Sequence, residues 1–419
     1  MDSTPAGERS ETSKRRRTEA PVTILCLKHD TLCVIFSFLD IFDLARCSVV
    51  CKFWNGIINK SQLPQKFYDK QQTNKPLRVI LEEQAMEQHR LSLQGGAIYI
   101  DQWRGHSIRA DQCRMKMGMI LSGGGDKVMR LWSLDRYKCI EEYSMPDMSP
   151  LVDFDFDESK IVGLVGTRIC IWRRNGKRSI FPSNEGTFAK GLCMRYFDPD
   201  AVVGCEDGTA RVFDMYSRRC SRIIRMHSAP LTCLCLSEDQ MMVSGSSSGC
   251  ITISDPSLNQ QVATLRSSHY AGGISTLCFN PSSRLVFSGS TVGFTCCWDL
   301  RAMKRLWETR VTPNVIYSLQ HLHNDKSVLA VGAIDGILRI LNQSNGDVVS
   351  CCVMGDELLS SSQSPSGAIQ RRRGQRLSQD IHIDSLPRSV RPPIRCLAVG
   401  MKKIVTTHNS KYISMWKFK

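Results

Sequence analysis

Residues 122–135, SGGGDKVMRLWSLD, decide how the rest of the chain is read. Three glycines running into Asp126 and Lys127 fit either a loop that cradles phosphate or the tight turn of a hairpin, where glycine supplies backbone angles closed to other residues. Recurrence separates the two. Sliding RLWSLD along the chain finds CIWRRN, RVFDMY, TISDPS, CCWDLR, RILNQS and SMWKFK, with the shared position at Trp132, Trp172, Phe213, Ser254, Trp298, Leu341 and Trp416. Successive spacings are 40, 41, 41, 44 and 43 residues, then 75, so only the last interval breaks the period. The turns GGGDK, CEDGT, SSSGC, STVGF and AIDGI fall at one register. The opening glycines therefore mark a hairpin.

Each unit carries short apolar runs divided by turns, as in APLTCLCLS, MMVSGS, CITISD and QQVATLR of the fourth. Four such runs make one small antiparallel sheet. With this period, a GH and a WD-like ending, the chain from Gly95 to Lys419 resembles the WD-repeat family. The resemblance implies a mostly β fold, a seven-bladed propeller, in which His106, Ser122, Asp126 and Trp132 brace the first blade through hydrogen bonds. Other units keep part of that set: His227 and Ser244; His269, Ser288 and Trp298; Asp207 and Asp335. The segment GAIYIDQW, just before the first GH, is expected to supply the outer strand of the blade that ends in SMWKFK, closing the ring without an open edge. The excess residues of the long interval, about 354–390, are rich in Ser, Arg and Pro and read as a disordered insertion between the sixth and seventh blades. Ser364 before Pro365, and Ser378 after RRRGQR, have the look of kinase sites.

Residues 27–57, LKHDTLCVIFSFLDIFDLARCSVVCKFWNGI, follow a different rule. Leu32, Ile35, Phe36 and Leu39 recur at helical spacing, Asp40 can cap a second helix, and Val50, Phe53, Trp54 and Ile57 mark a third. Helices this short must bury a face against a neighbour. The order of Leu27, Leu32, Ile35, Leu39, Asp43, Leu44 and VVCKFW resembles an F-box, with Lys28 where that family usually has proline. The resemblance implies docking on the Skp-type adaptor of a cullin scaffold through Leu27, Leu32, Ile35, Phe36, Leu39 and Leu44, while Val50 and Trp54 hold the bundle. The resulting layout is a basic disordered tail over 1–23, an F-box over 24–60, a helical linker over 61–94 that spaces or fixes the propeller, and the propeller over 95–419.

Composition bounds the function. The chain has 419 residues and 42% hydrophobic content, with 55 Lys and Arg against 40 Asp and Glu, a net +15 that attracts acidic partners. Its 19 cysteines sit largely in apolar runs without paired CxxC units, so they read as reduced core residues, and neither a metal site nor any other cofactor is expected. No apolar run reaches the roughly 20 residues of a membrane span, and the polar, basic start lacks a secretory pattern, so a soluble protein of the cytoplasm or nucleus is expected. The run Lys14–Arg17 is short for a nuclear-import signal. GSSSG at 245–249 matches a hydrolase nucleophile pattern, but CITISD follows where that elbow needs a helix.

What remains is recognition without bond chemistry. Alignment of the innermost strands sets Arg109 beside Arg395 on neighbouring blades, with Lys190 near the same register, and paired guanidinium groups suit phosphate or carboxylate. The expected function is the substrate-recognition subunit of a Skp–cullin–F-box ubiquitin ligase, the propeller holding a protein with acidic or phosphorylated groups. The competing expectation is a non-catalytic scaffold that uses the positive charge to bind acidic partners or nucleic acid.

Overall fold

A computed structural model describes residues 27, 29–60, 77–146, 149–174, 178–180, 190–255, 260–266, 272–364, 367–378 and 383–419. The basic tail, Lys28, His269 and Pro365 lie outside the described residues, as do the first part of the expected linker (61–76) and the side chain of Ser364. The chain divides into two compact units, Met1–Ala85 and Met86–Lys419.

The first unit is a small helical bundle: α1 His29–Phe36, α2 Ile41–Ser48, α3 Lys52–Lys60 and the start of α4, Leu77–Gln94. Asp40 caps α2, its carboxylate accepting the Asp43 amide at 2.8 Å, which satisfies one of the orphan donors of the first turn. Leu32, Phe36, Leu44, Trp54, Ile57 and Ile58 form the core, with Phe36 edge-on to Trp54 at 5.3 Å. Ile80 of α4 is buried with them. Trp54 thus holds the bundle as the resemblance implies, whereas Val50, in the turn between α2 and α3, is 60% exposed and does not.

The second unit is built of antiparallel sheets, five with four strands each, beginning at Ala110, Leu151, Gly191, Leu231 and Ile274. A nine-stranded sheet follows. Its order is Ile316–Gln320, Val328–Ala333, Leu338–Asn342, Val348–Ser364, Gly367–Arg376, Ile98–Arg104, Tyr412–Phe418, Lys403–Thr407 and Cys396–Gly400. The first four and the last four of these repeat the four-stranded pattern, and Gly367–Arg376 bridges them. Ile98–Arg104 pairs along its whole length with Tyr412–Phe418, where the sequence places the missing outer strand.

Hairpin chemistry sets the blade turns. Gly293 has φ +86°, and a Cβ there would sit 1.8 Å from the Thr312 carbonyl oxygen, so no side chain is tolerated. In 122–135, Gly123 and Gly124 end one strand and the turn passes through Lys127, whose amide donates to the Gly124 carbonyl at 3.2 Å. Innermost strands of successive sheets are stitched by side chains: Gln112 donates to the Val152 carbonyl at 2.7 Å and Ser275 to that of Ile316 at 2.5 Å. Thr407 donates to the Asp111 carbonyl at 3.1 Å, joining the last sheet to the first.

The expected disordered insertion is corrected. Within 354–390 the chain continues the strand Val348–Ser364 and returns as Gly367–Arg376, a hairpin that closes against Ile98–Arg104. Backbone pairing on both sides of the returning strand outweighs its polar composition, because each residue contributes ladder hydrogen bonds whatever its side chain.

Candidate binding surfaces

In the first blade, His106 Nδ1 lies 2.8 Å from Asp126 Oδ1 and Nε2 lies 2.8 Å from Ser122 Oγ, which in turn accepts Trp132 Nε1–H at 2.8 Å. Burial lowers the His106 pKa against the pull of Asp126. Burial also works against a charged Asp126, yet bonds from Arg130, the Ser107 amide and His106 hold its carboxyl below the usual carboxylate range. The set is sealed from solvent and spends its hydrogen-bonding capacity on itself, so it braces and does not bind.

Two features of this bracing escape the blade-by-blade motif. Trp416 donates to Thr406 Oγ1 at 2.8 Å, and Thr406 contacts His408 Nε2 at 2.6 Å, so the seventh group has its own brace with threonine in the serine position. The ten-residue spacing shared by Ser122 and Trp132, Ser288 and Trp298, and Thr406 and Trp416 is the clue. Aspartate also recurs with arginine four residues on, in Asp126 with Arg130 and in Asp335 with Arg339. His227 contacts Ser244 Oγ at 2.9 Å, a bracing contact of the same kind. Ser247 of GSSSG lies between the strands Met242–Ser246 and Cys250–Asp255, which excludes a strand-to-helix elbow.

The expected anion site is only partly assembled. Arg109 and Lys190 occupy one register: the Arg109 carbonyl accepts from Gly125 at 2.9 Å and the Lys190 carbonyl from Glu206 at 2.8 Å. Arg395 does not share it. Cys113 pairs with the brace residue Ser122 as Leu397 pairs with Thr406, so Arg395 corresponds to Asp111, two residues further along the strand. The sequence alignment slipped because the last blade lacks the GH anchor of the first. Arg109 and Arg395 still approach one rim through shared partners, since Asp111 receives Thr407 and the Arg395 amide donates to the Thr407 carbonyl at 2.9 Å. Arg109 Nε is held 3.1 Å from Asp111, a half-exposed pair worth about 0–1 kcal/mol. The Arg395 guanidinium lies 4.5 Å from the centroid of the Tyr317 ring. Lys190 is exposed, but the second blade lies between it and Arg109.

Other cations of the innermost strands are consumed. Asp153 binds Arg114 at 2.8 Å and Arg195 at 3.0 Å, and Asp155 binds Lys116 at 2.6 Å. Burial opposes charge on Asp155, but Lys116, Arg114 and Arg195 keep its pKa low. This network ties three consecutive inner strands together.

In the helical unit, the expected adaptor residues divide. Leu32, Phe36 and Leu44 are sealed in the core, so they are corrected to bundle residues, while Ile35 is exposed and Leu27 and Leu39 are half-buried. Helical spacing marks an apolar stripe without saying which part neighbours cover. Among the described residues of this unit, the exposed large apolar side chains are Ile35 together with Val34, Phe38, Val49, Val50 and Phe53, with Phe38 at 84%.

A small helical bundle followed by a ring-like set of WD-type sheets defines the class, and the comparisons with known proteins agree. The description of F-box-like domains matches residues 29–70, and that of the second β-propeller of WD repeat-containing protein 75 matches residues 205–336. An F-box/WD-40 repeat-containing protein of Arabidopsis thaliana is 53% identical over 100% of this chain and 99% of its own length. The chain belongs to the F-box/WD-repeat family. Mitochondrial division protein 1 of Sclerotinia sclerotiorum and of Coccidioides immitis are each 26% identical over 27% of this chain and 15% of their own.

Proposed function

We propose that this protein is the substrate receptor of a Skp–cullin–F-box ubiquitin ligase, with the helical unit gripping the adaptor and a seven-bladed ring holding the target. The observation that carries the reading is the helical unit's division of labour. Its core is complete with Leu32, Phe36, Leu44 and Trp54, yet it leaves Val34, Ile35, Phe38, Val50 and Phe53 uncovered. Large apolar side chains left outside a finished core mark a protein-binding surface. The target surface is the rim of Arg109 and Arg395, with Lys190 an outlying contact. Arg395 has no carboxylate within ion-pair reach among the described residues and Arg109 has a weak one, so both can turn to an incoming phosphate or carboxylate. The seven-blade count rests on the seven four-stranded groups. The receptor supplies geometry, and bond chemistry belongs to the partners.

One experiment tests both surfaces: co-purification of the full chain with a Skp-type adaptor, a cullin and captured target. Ile35→Asp with Phe38→Asp is expected to abolish adaptor retention without lowering the melting temperature. Arg109→Ala with Arg395→Ala is expected to abolish target capture and keep the adaptor. Undiminished adaptor retention in the first variant overturns the docking assignment, and undiminished capture in the second overturns the rim.

A further inference from the structure

The bridging strand creates a charged surface remote in register from the rim. In the nine-stranded sheet, Arg373 stands opposite Tyr99, Tyr99 opposite Lys417, and Lys417 opposite Lys403. Directly opposed residues share a face, so these four form one cross-strand row. The next row sets Arg371 opposite Asp101 on the same face.

Asp101 is buried, and its carboxylate takes Lys417 Nζ at 2.6 Å and the Tyr137 hydroxyl at 3.0 Å, with Arg371 Nε at 3.6 Å. It therefore positions Lys417 and Arg371 and leaves the rest of the row uncompensated. Among the described residues Lys403 has only Asp135 as an ion-pair partner, at 3.9 Å and almost fully exposed. Arg373 is exposed and has no ion-pair partner among the described residues.

Two physical points argue that this concentration has a use. Like charges directly opposite in a sheet repel, so Lys403 facing Lys417 costs stability. Lysine and arginine are common on sheet edges, where they block unwanted pairing. Here the explanation fails, because Gly367–Arg376, Ile98–Arg104, Tyr412–Phe418 and Lys403–Thr407 are all interior strands.

We propose that the row Arg373, Lys417 and Lys403, flanked by Arg371, binds an extended acidic segment of a protein partner at a site separate from the rim. The row crosses three strand gaps, about 14 Å, the reach of about four extended residues. Guanidinium forks suit carboxylates. The face is poor for nucleic acid, since a single strand gains its binding energy from base stacking on open aromatic rings. Tyr99 lies under Lys419, whose Nζ is 4.9 Å from the ring centroid, and Tyr137 is buried beneath Lys417.

The test is fluorescence anisotropy on the full chain at low salt, with three probes: an acidic octapeptide of Asp and Glu, its Asn and Gln counterpart, and a single-stranded thymidine oligonucleotide. The acidic peptide is expected to bind, its neutral counterpart not to. Arg373→Gln with Lys403→Gln is expected to weaken binding about tenfold without lowering the melting temperature, and Lys403→Gln alone to weaken it less. Arg109→Ala with Arg395→Ala is expected to leave it intact, which separates this site from the rim. Unchanged affinity in the double glutamine variant, loss only in the rim variant, or preference for the oligonucleotide overturns the proposal.

Discussion

Asp126 is where charge and stability meet in the first blade. The Arg130 guanidinium donates to it at 2.7 Å and the Ser107 amide at 3.0 Å, while His106 closes the other side. A carboxyl whose pKa is lowered by folding contributes stability that is complete above its unfolded value, about 3.9, and is lost progressively as pH falls below that toward the lower folded value. Asp126→Asn removes the charge and leaves Arg130 short of a partner, at a cost of about 1–3 kcal/mol near neutral pH. The gap between wild type and variant is therefore expected to stay constant down to about pH 5 and to narrow progressively below about pH 4, measured by thermal melting across the series. A gap that widens in acid contradicts the assignment. This brace is legible from the sequence because all four of its residues are present at family spacing. The seventh brace shows in the sequence only through the ten-residue spacing to Trp416, because Thr406 replaces serine and His408 reaches it from two residues away.

Helix α4 ends where the hairpin begins to matter. Arg376 donates to the carbonyls of Ser92 at 3.0 Å, Leu93 at 2.8 Å and Gly95 at 2.7 Å, oxygens that a helix terminus otherwise leaves to water. A planar fork reaches several carbonyls together, which an ammonium on a flexible stem cannot do. Arg376→Ala is expected to cost about 1–3 kcal/mol and to speed amide hydrogen exchange over residues 89–96, with Arg376→Lys recovering part of the protection. Equal exchange in all three proteins defeats the capping role. Nothing in QRRRGQR marks Arg376 as a cap, and the Ser and Arg content around it favours a loop. Strand pairing there comes from a partner some 270 residues earlier, Ile98–Arg104, which local composition cannot encode. The helical unit shows the same limit: periodicity finds the apolar face of α1, but only packing separates sealed Leu32 and Phe36 from open Ile35 and Phe38.

At the scale of the second unit, the segment before the first repeat carries more of the architecture than its seven residues suggest. Ile98–Arg104 pairs on one side with Tyr412–Phe418 and on the other with Gly367–Arg376, so the last two blades share one continuous hydrogen-bonded sheet, where other neighbours are joined without a strand ladder. Its closing role with Tyr412–Phe418 was readable, since the last unit is one strand short. Its second pairing was not. Ile100 is fully buried, with Arg372 opposite on one side and Trp416 on the other. Proline there removes a ladder donor and sets its ring against the neighbouring backbone in the middle of a sheet. Ile100→Pro is expected to cost about 3 kcal/mol or more, whereas Ile100→Val, which keeps the backbone and trims one methylene, costs about 0.5–1.5 kcal/mol. Because the strand joins two blades, the proline variant is also expected to expose Tyr412–Phe418 and Gly367–Arg376 together to hydrogen exchange. Melting of the proline variant alongside the valine variant, or faster exchange in only one of the two flanking strands, is the result that a continuous sheet does not permit.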